Sequence, residues 1–301
     1  MLVNKQEKRM RQLIIGCGYL GRRVAAAWLG DGHEVTALTR SPRHAEEWDA
    51  AGITPIIGDV TAPPTLSKLP AADTLLFAVG FDRTAGLSQR TVYVDGLNNV
   101  LQEMRNRIGR LIYISSTSVY GQQDGEWINE ASSTRPTTPG GEVCLEAEQV
   151  VGEFFPSTAQ RNDPTTVILR LAGIYGPNRL LRRIEAVRAQ EPIAGDPQAW
   201  LNLIHVDDAV AAVRASATLA EHESTYLVSD DCPIRRQEYF DQLAALVGAD
   251  KPVFEASKPS GLHASGLGKR CSNRKLRDEL GVELQFPTIN TGLPHAVGED
   301  V

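Results

Sequence analysis

Cysteine is scarce in this sequence. There are four in 301 residues (Cys17, Cys144, Cys232, Cys271), far apart and without a CxxC. That spacing argues against a disulfide framework and suits reduced thiols, so a cytoplasmic location is expected. The six histidines form no pair at ligand spacing, so no metal is expected. No apolar run approaches the roughly 18–20 residues of a membrane helix, and no membrane partner is expected. The opening MLVNKQEKRMRQ lacks the apolar centre of a signal peptide and reads as a frayed polar leader. Basic excess is lacking too. A net charge of −6 leaves no electrostatic footprint for nucleic acid. Neither an internal repeat nor a low-complexity tract is found. Hydrophobic residues make up 42%, enough for one large core or two modest ones.

What is present is concentrated in Gln12–Arg40, which reads as strand, glycine turn, helix, strand. Leu13-Ile14-Ile15 runs into Gly16-Cys17-Gly18-Tyr19-Leu20-Gly21, a GxGxxG. Leu20, Val24, Ala27 and Trp28 then recur at helical spacing, and Val35 to Leu38 closes the unit. Gly16 permits the tight turn, Gly18 lets backbone approach a pyrophosphate, and Gly21 lets helix lie close on strand. The amides and positive end of the helix would face the phosphates. This context, a strand before and a helix after, points to a dinucleotide site rather than an ordinary turn. The same unit favours NADP over NAD. An NAD fold usually has an acid about 20 residues beyond the glycines; here the strand ends Thr39-Arg40-Ser41-Pro42-Arg43. Arg40 and Arg43 would grip a 2′-phosphate by charge-assisted hydrogen bonds; the plainer alternative is a pair of solvated loop charges.

Further along, Ile53–Ile57 predicts a third strand ending in Gly58-Asp59-Val60. Asp59 and Val60 either contact adenine or make a local turn. Asp73–Phe77 predicts a fourth strand, and the small Ala78-Val79-Gly80 after it would let a cofactor approach. A helix is expected over much of Ser88–Arg107, and then a strand, Arg110–Ile114, leading into Ser115-Ser116-Thr117-Ser118-Val119-Tyr120-Gly121. This alternation predicts an α/β fold with a doubly wound parallel sheet and ligand at the strand carboxyl ends. Past Gly121 the rhythm breaks into a polar loop, Gln122–Gly141. Helices follow at Glu142–Phe155, Leu180–Gln190, Ala209–Thr218, Gln237–Val247 and Asn273–Leu280, with strands at Thr165–Leu171, Leu201–His205 and Tyr226–Ser229. Ala256–Ser272 reads as a loop.

The motifs GCGYLG, GDV, YISSTSVYG, LRLAGIYGP, NLIHVDD and GKRCSNRKLRDELG together resemble the NAD-dependent epimerase/dehydratase branch of the short-chain dehydrogenase/reductase superfamily, over roughly residues 12–290. The resemblance implies a Rossmann domain holding NAD(P), over 12–175 with about 200–220 returning to it. It also implies a smaller C-terminal α/β substrate domain, over 176–199 and 221–295, that usually receives a nucleotide sugar. It implies too that Ser116 orients a substrate hydroxyl, with Thr117 and Ser118 beside it. A possible homodimer through Ser88–Arg107 and Glu142–Phe155 is by analogy.

The chain departs from that pattern where the family carries its YxxxK. In Pro136–Glu148, Gly140 stands in the tyrosine's place and Cys144 in the lysine's. A positioned acid/base is worth ~10²–10⁴ in rate, and neither replacement supplies one directly. Tyr120 is near enough in sequence to be recruited, although such a tyrosine more often packs. A family asparagine is Asp95 here, which either meets substrate or faces solvent. The arginine that often grips a diphosphate is Leu201, with Arg179, Arg182, Arg183, Lys269 or Arg270 as substitutes. His205-Val206-Asp207-Asp208 is read as structural rather than metal-binding. The pattern is that of atypical family members that keep the cofactor site while the YxxxK erodes. It leaves two functional classes open: an NADP-dependent oxidoreductase or epimerase on a small molecule, and a non-catalytic NADP(H)-binding sensor or scaffold.

Overall fold

The computed structural model describes residues 9–155, 164–218, 224–255 and 268–298. Apolar runs become the strands β1 (Arg11–Ile15), β2 (Glu34–Thr39), β3 (Thr54–Ile57), β4 (Ala72–Phe77), β5 (Ile108–Ser116), β6 (Thr165–Leu171) and β7 (Ser224–Val228). They form a seven-stranded parallel sheet in the order β7-β6-β5-β4-β1-β2-β3. Leu13, Ile14 and Ile15 are fully buried, as a strand covered on both faces requires. Register is regular: Leu13 sits opposite Leu75 on one side and Thr36 on the other. The expected Rossmann-type α/β class is therefore the observed one.

By contact the chain divides into two compact units. The first comprises Met1–Ile114, Gln149–Val167 and Ser216–Ser224; the second comprises Ser115–Glu148, Ile168–Ala215 and Thr225–Val301. In the first, helix α1 (Tyr19–Gly30) buries Leu20, Val24 and Trp28, one stripe at four-residue spacing. Helix α2 (Pro42–Ala50) starts at Ser41, whose hydroxyl accepts from the His44 amide at 3.3 Å, with Pro42 in the first turn. The helix expected over much of Ser88–Arg107 is present over 89–103 and contains a π-helical turn, Thr91–Asp95, that passes into α3 (Gly96–Glu103). In the second unit the core gathers Tyr175, Leu180, Leu203, Tyr239, Leu243 and Leu293.

Other boundaries moved. Leu201–His205 is two short strands, Trp200–Leu201 and Leu203–His205. The polar loop after Gly121 holds a strand, Trp127–Ile128, paired in parallel with Arg270–Cys271. The rest of the expected Ala256–Ser272 loop, residues 256–267, lies outside the described residues, as does most of the polar leader. A helix over Ile289–Gly298 went unexpected because Pro294 lies inside it. Its Gly292 has no room for a Cβ against the Tyr175 ring.

Candidate functional site

At the carboxyl ends of β1, β2 and β4 the first unit opens into a cleft of about 510 Å³. Its floor is the turn between β1 and α1. Gly16 has φ +98°, and a Cβ there would overlap the backbone of Ala78 and Val79. Gly21 lies against the Gly16 carbonyl, so a side chain would push α1 off the strand. Gly18 is different: a Cβ on it meets nothing within 4 Å, because it faces the cleft. No side chain caps the N-terminus of α1, and no acid stands in its first turn. The positive end of the helix dipole therefore lies beside the open cleft floor at Gly18, the arrangement that suits an anion.

The walls hold Gly16, Gly18, Thr39, Arg40, Asp59, Val60, Val79 and Gly80, all expected from sequence. Tyr19, Leu20 and Gly21 are not walls; Leu20 and Gly21 are buried under α1, and the Arg23 guanidinium lies 4.2 Å from the Tyr19 ring centre. Arg43 points elsewhere, which corrects its expected place: its side chain is 86% exposed and pairs with Glu47 at 3.1 Å. Arg22, Ser41, His44 and Trp48 line the cleft instead. Arg40 reaches Asp82 at 3.6 Å and Asp59 at 4.0 Å. Asp59 also makes a local turn, accepting from the Thr61 amide and hydroxyl, both at 2.8 Å. Asp95, in the π-helical turn, pairs with Arg90 at 2.9 Å.

The end of β5 belongs to the second unit and is built the opposite way. Ser116 Oγ accepts from the Ser118 amide at 3.1 Å and so caps the 3₁₀ turn Thr117–Val119. Among the described residues its own hydrogen has no acceptor. Tyr120 is 0% exposed, and its hydroxyl accepts from Arg170 Nη1 at 2.6 Å. Arg170 forks onto Glu148, 2.9 Å from Nε to Oε1 and 2.6 Å from Nη2 to Oε2, and Ser115 donates to Glu148 at 2.5 Å. Burial pushes the Tyr120 phenol up to about 12, although Arg170 pulls the other way. A sealed phenol held by a guanidinium does not serve as a proton carrier, and this corrects the expectation that Tyr120 is recruited.

Helix α4 (Pro139–Phe154) carries Gly140 and Cys144. Gly141 packs so closely on the Ser118 carbonyl that a Cβ would overlap it. Cys144 is buried, and burial raises its thiol pKa, so it is no activated nucleophile. Lys269 is 1% exposed and donates to the Tyr120 carbonyl at 2.6 Å; burial lowers its pKa to about 8.

His205, Asp207 and His295 lie within 4.8 Å of one another. His205 Nδ1 accepts from the Asp207 amide at 3.2 Å, so its Nε2 carries the hydrogen that meets His295 Nδ1, also at 3.2 Å. Asp207 and His295 thus engage opposite nitrogens of one ring, and one ligand atom from each of the three residues lies within 4.8 Å of the others.

A sequence model of the NAD dependent epimerase/dehydratase family matches residues 12–228, well over half of the chain. The chain belongs to that family. Within it, the chain is similar to Protein YeeZ of Escherichia coli K12, 28% identical over 91% of this chain and 95% of that protein. It is likewise similar to the 2-alkyl-3-oxoalkanoate reductase of Stenotrophomonas maltophilia, 28% identical over 78% and 75%. Among solved structures, the Bordetella bronchiseptica enzyme WbmG in complex with NAD and UDP superposes with a TM-score of 0.78. It covers 97% of this chain and 96% of that one, and at 20% identity it supports the fold alone. For an epimerase/dehydratase-family chain, sequence reasoning missed Arg22, His44, Asp82 and the Glu148–Arg170 pair. His44 was findable, since an N-capped helix starting at Ser41 puts it one turn in. The Glu148–Arg170 pair joins a helix to a strand, and no local pattern marks it.

Proposed function

We propose that this chain is an NADP(H)-binding oxidoreductase or epimerase of its family that works without the Tyr/Lys pair. One observation carries the reading: the α1 N-terminus, uncapped and open over Gly18, faces a cleft whose β2 end bears Thr39 and Arg40 instead of an acid. The donor set fits a dinucleotide. The glycine turn and first-turn amides of α1 hold the pyrophosphate, and Val79 and Gly80 leave space at the β4 end. Arg40, helped by Ser41, His44 and Arg22, takes the 2′-phosphate. When bound, the nicotinamide ring supplies or accepts a hydride. Ser116, with its hydrogen unspent, donates to a substrate oxygen and orients it; Thr117 and Ser118 shape the same strand end, and Asp95 is a further candidate contact. The substrate is a small carbonyl or hydroxyl compound, with a nucleotide sugar or a 3-oxo acid as the first classes to try. A cytoplasmic location follows from the reduced thiols, and a homodimer is the expected assembly, checked by light scattering.

A second reading, a non-catalytic NADP(H) sensor or scaffold, is favoured by the burial of Tyr120, Cys144 and Lys269. One experiment separates the two. Protein loaded with NADPH is mixed with UDP-sugars and 3-oxo esters, and cofactor oxidation is followed optically. Turnover that falls about 10²-fold or more in Ser116→Ala supports the enzyme. Tight NADPH binding with no turnover on either panel supports the sensor.

A further inference from the structure

Two short motifs of the same form, Asp59-Val60-Thr61 and Asp82-Arg83-Thr84, lie beyond the ends of β3 and β4. They fold alike. Asp59 Oδ1 accepts from the Thr61 amide and hydroxyl, and Asp82 Oδ1 accepts from the Thr84 amide at 2.9 Å and hydroxyl at 2.6 Å. Each turn spends one carboxylate oxygen on its own threonine and leaves the other for a partner. In both cases that partner is Arg40. Asp82 Oδ2 lies 3.6 Å from Arg40 Nη2, and Asp59 Oδ2 lies 4.0 Å from Arg40 Nη1.

The Asp82 arm crosses the cleft. The sheet runs β4-β1-β2 here, so a pair between the segment after β4 and the end of β2 spans the carboxyl end of β1. Asp82, Ala85 and Leu87 line the cleft from that segment, and the Ala85 amide donates to the Asp82 carbonyl at 3.3 Å. The Thr84 hydrogen bonds, with a smaller pull from Arg40, hold the Asp82 carboxyl below the usual carboxylate range, so it is charged at neutral pH. The contacts to Arg40 are nevertheless loose. At 3.6 and 4.0 Å they are ion pairs, without the ~2.7–2.9 Å bonds a guanidinium makes to a well-seated anion. Arg40 is held between two carboxylates and bonded tightly to neither.

We infer that Asp82 sets the nucleotide preference of the cleft by competing with a 2′-phosphate for Arg40. The inference rests on the NADP(H) reading of the cleft and adds to it the residue that opposes NADPH. Without nucleotide, Asp82 takes the anion position at Arg40 and straps the segment after β4 across the cleft. A 2′-phosphate brings more charge and shorter bonds, so it takes the guanidinium and releases the strap. NADH has only a hydroxyl there and leaves the pair closed. An exposed pair of this kind is worth up to about fivefold in an equilibrium, enough to tune the choice of nucleotide without abolishing either.

Titrations of the full chain with NADPH and NADH test the competition, and hydrogen exchange tests the strap. Asp82→Asn keeps an acceptor oxygen for the turn but drops the charge. It should tighten NADPH about three- to fivefold while NADH shifts by less than about twofold. In an Arg40→Ala background the same change should move NADPH by less than about twofold, since the contested group is gone. In the nucleotide-free chain, Arg40→Ala should speed amide exchange over residues 80–87 about threefold or more, at an unchanged melting temperature. NADPH affinity indifferent to Asp82→Asn, or a gain that survives intact without Arg40, overturns the inference. So does exchange over 80–87 that ignores Arg40→Ala. A chain that binds neither nucleotide, yet loses protection over 80–87 in Arg40→Ala, would sink the dinucleotide reading while upholding the strapped segment.

Discussion

The glycine turn of the first unit and the β5 end of the second handle polar groups in opposite ways. At the turn, the N-terminus of α1 has no side-chain cap and opens on free volume, since a Cβ on Gly18 would meet nothing within 4 Å. At the β5 end nearly every polar group is spent. Arg170 is shared between Glu148 and Tyr120, Ser115 is bonded to Glu148, and Lys269 to the Tyr120 carbonyl. An uncapped helix terminus beside a cleft is favourable ground for an anion, whereas a closed network adds rigidity and little chemistry. The contrast teaches where to look for function in this family member: in the open half, and at Ser116, whose hydrogen remains free at the edge of the closed one.

The contrast should break most visibly at Arg170. Arg170→Ala strands Glu148 as a lone buried carboxylate and should cost about 3–5 kcal/mol in urea unfolding. A loss under about 1 kcal/mol would mean the network is not closed.

Asp230 is a similar case inside the second unit. It is 2% exposed with one oxygen unbonded, and burial pushes its pKa up to about 8. The folded protein then keeps a proton that the unfolded chain releases near ~4, so stability falls as pH rises from about 4 to about 8 and levels off above that. Asp230→Asn should remove that slope and gain roughly 2–4 kcal/mol at pH 8 relative to the parent. Equal pH profiles for both proteins would show that Asp230 ionises freely.

Next come the glycines. Gly16→Ala should lower stability by about 1–3 kcal/mol through left-handed backbone strain and the Ala78 overlap. Gly18→Ala should change stability by no more than ~0.5 kcal/mol yet weaken NADPH, because its methyl enters the space meant for phosphate. The last effect is one of cofactor choice, at Arg40. Arg40→Ala should weaken NADPH about tenfold more than NADH, or ~1.4 kcal/mol, in competition titrations. Equal losses would show that Arg40 does not read the 2′-phosphate.

Local features were the legible ones. The glycine turn, α1 and the strand rhythm follow from residues within a turn or a few positions of one another, and they came out where the pattern placed them. Arg43 went astray because a loop charge can turn either way: Glu47, one turn along α2, captured it. The helix within Ser88–Arg107 was legible, but apolar spacing does not reveal its π-helical turn, in which Thr91–Asp95 shift the face of everything that follows. Ile289–Gly298 was hidden by Pro294, tolerated near the middle of a short helix packed on Tyr175. The fate of Tyr120 was beyond reach of the motif that contains it. It depends on Arg170, 50 residues on, and on Glu148 from another element.

Isothermal titration of the folded, full-length chain with NADPH and then NADH tests the central claim most directly. Saturable heat with NADPH, weaker with NADH, is the expected result. A folded protein that gives no heat with either nucleotide would contradict the account.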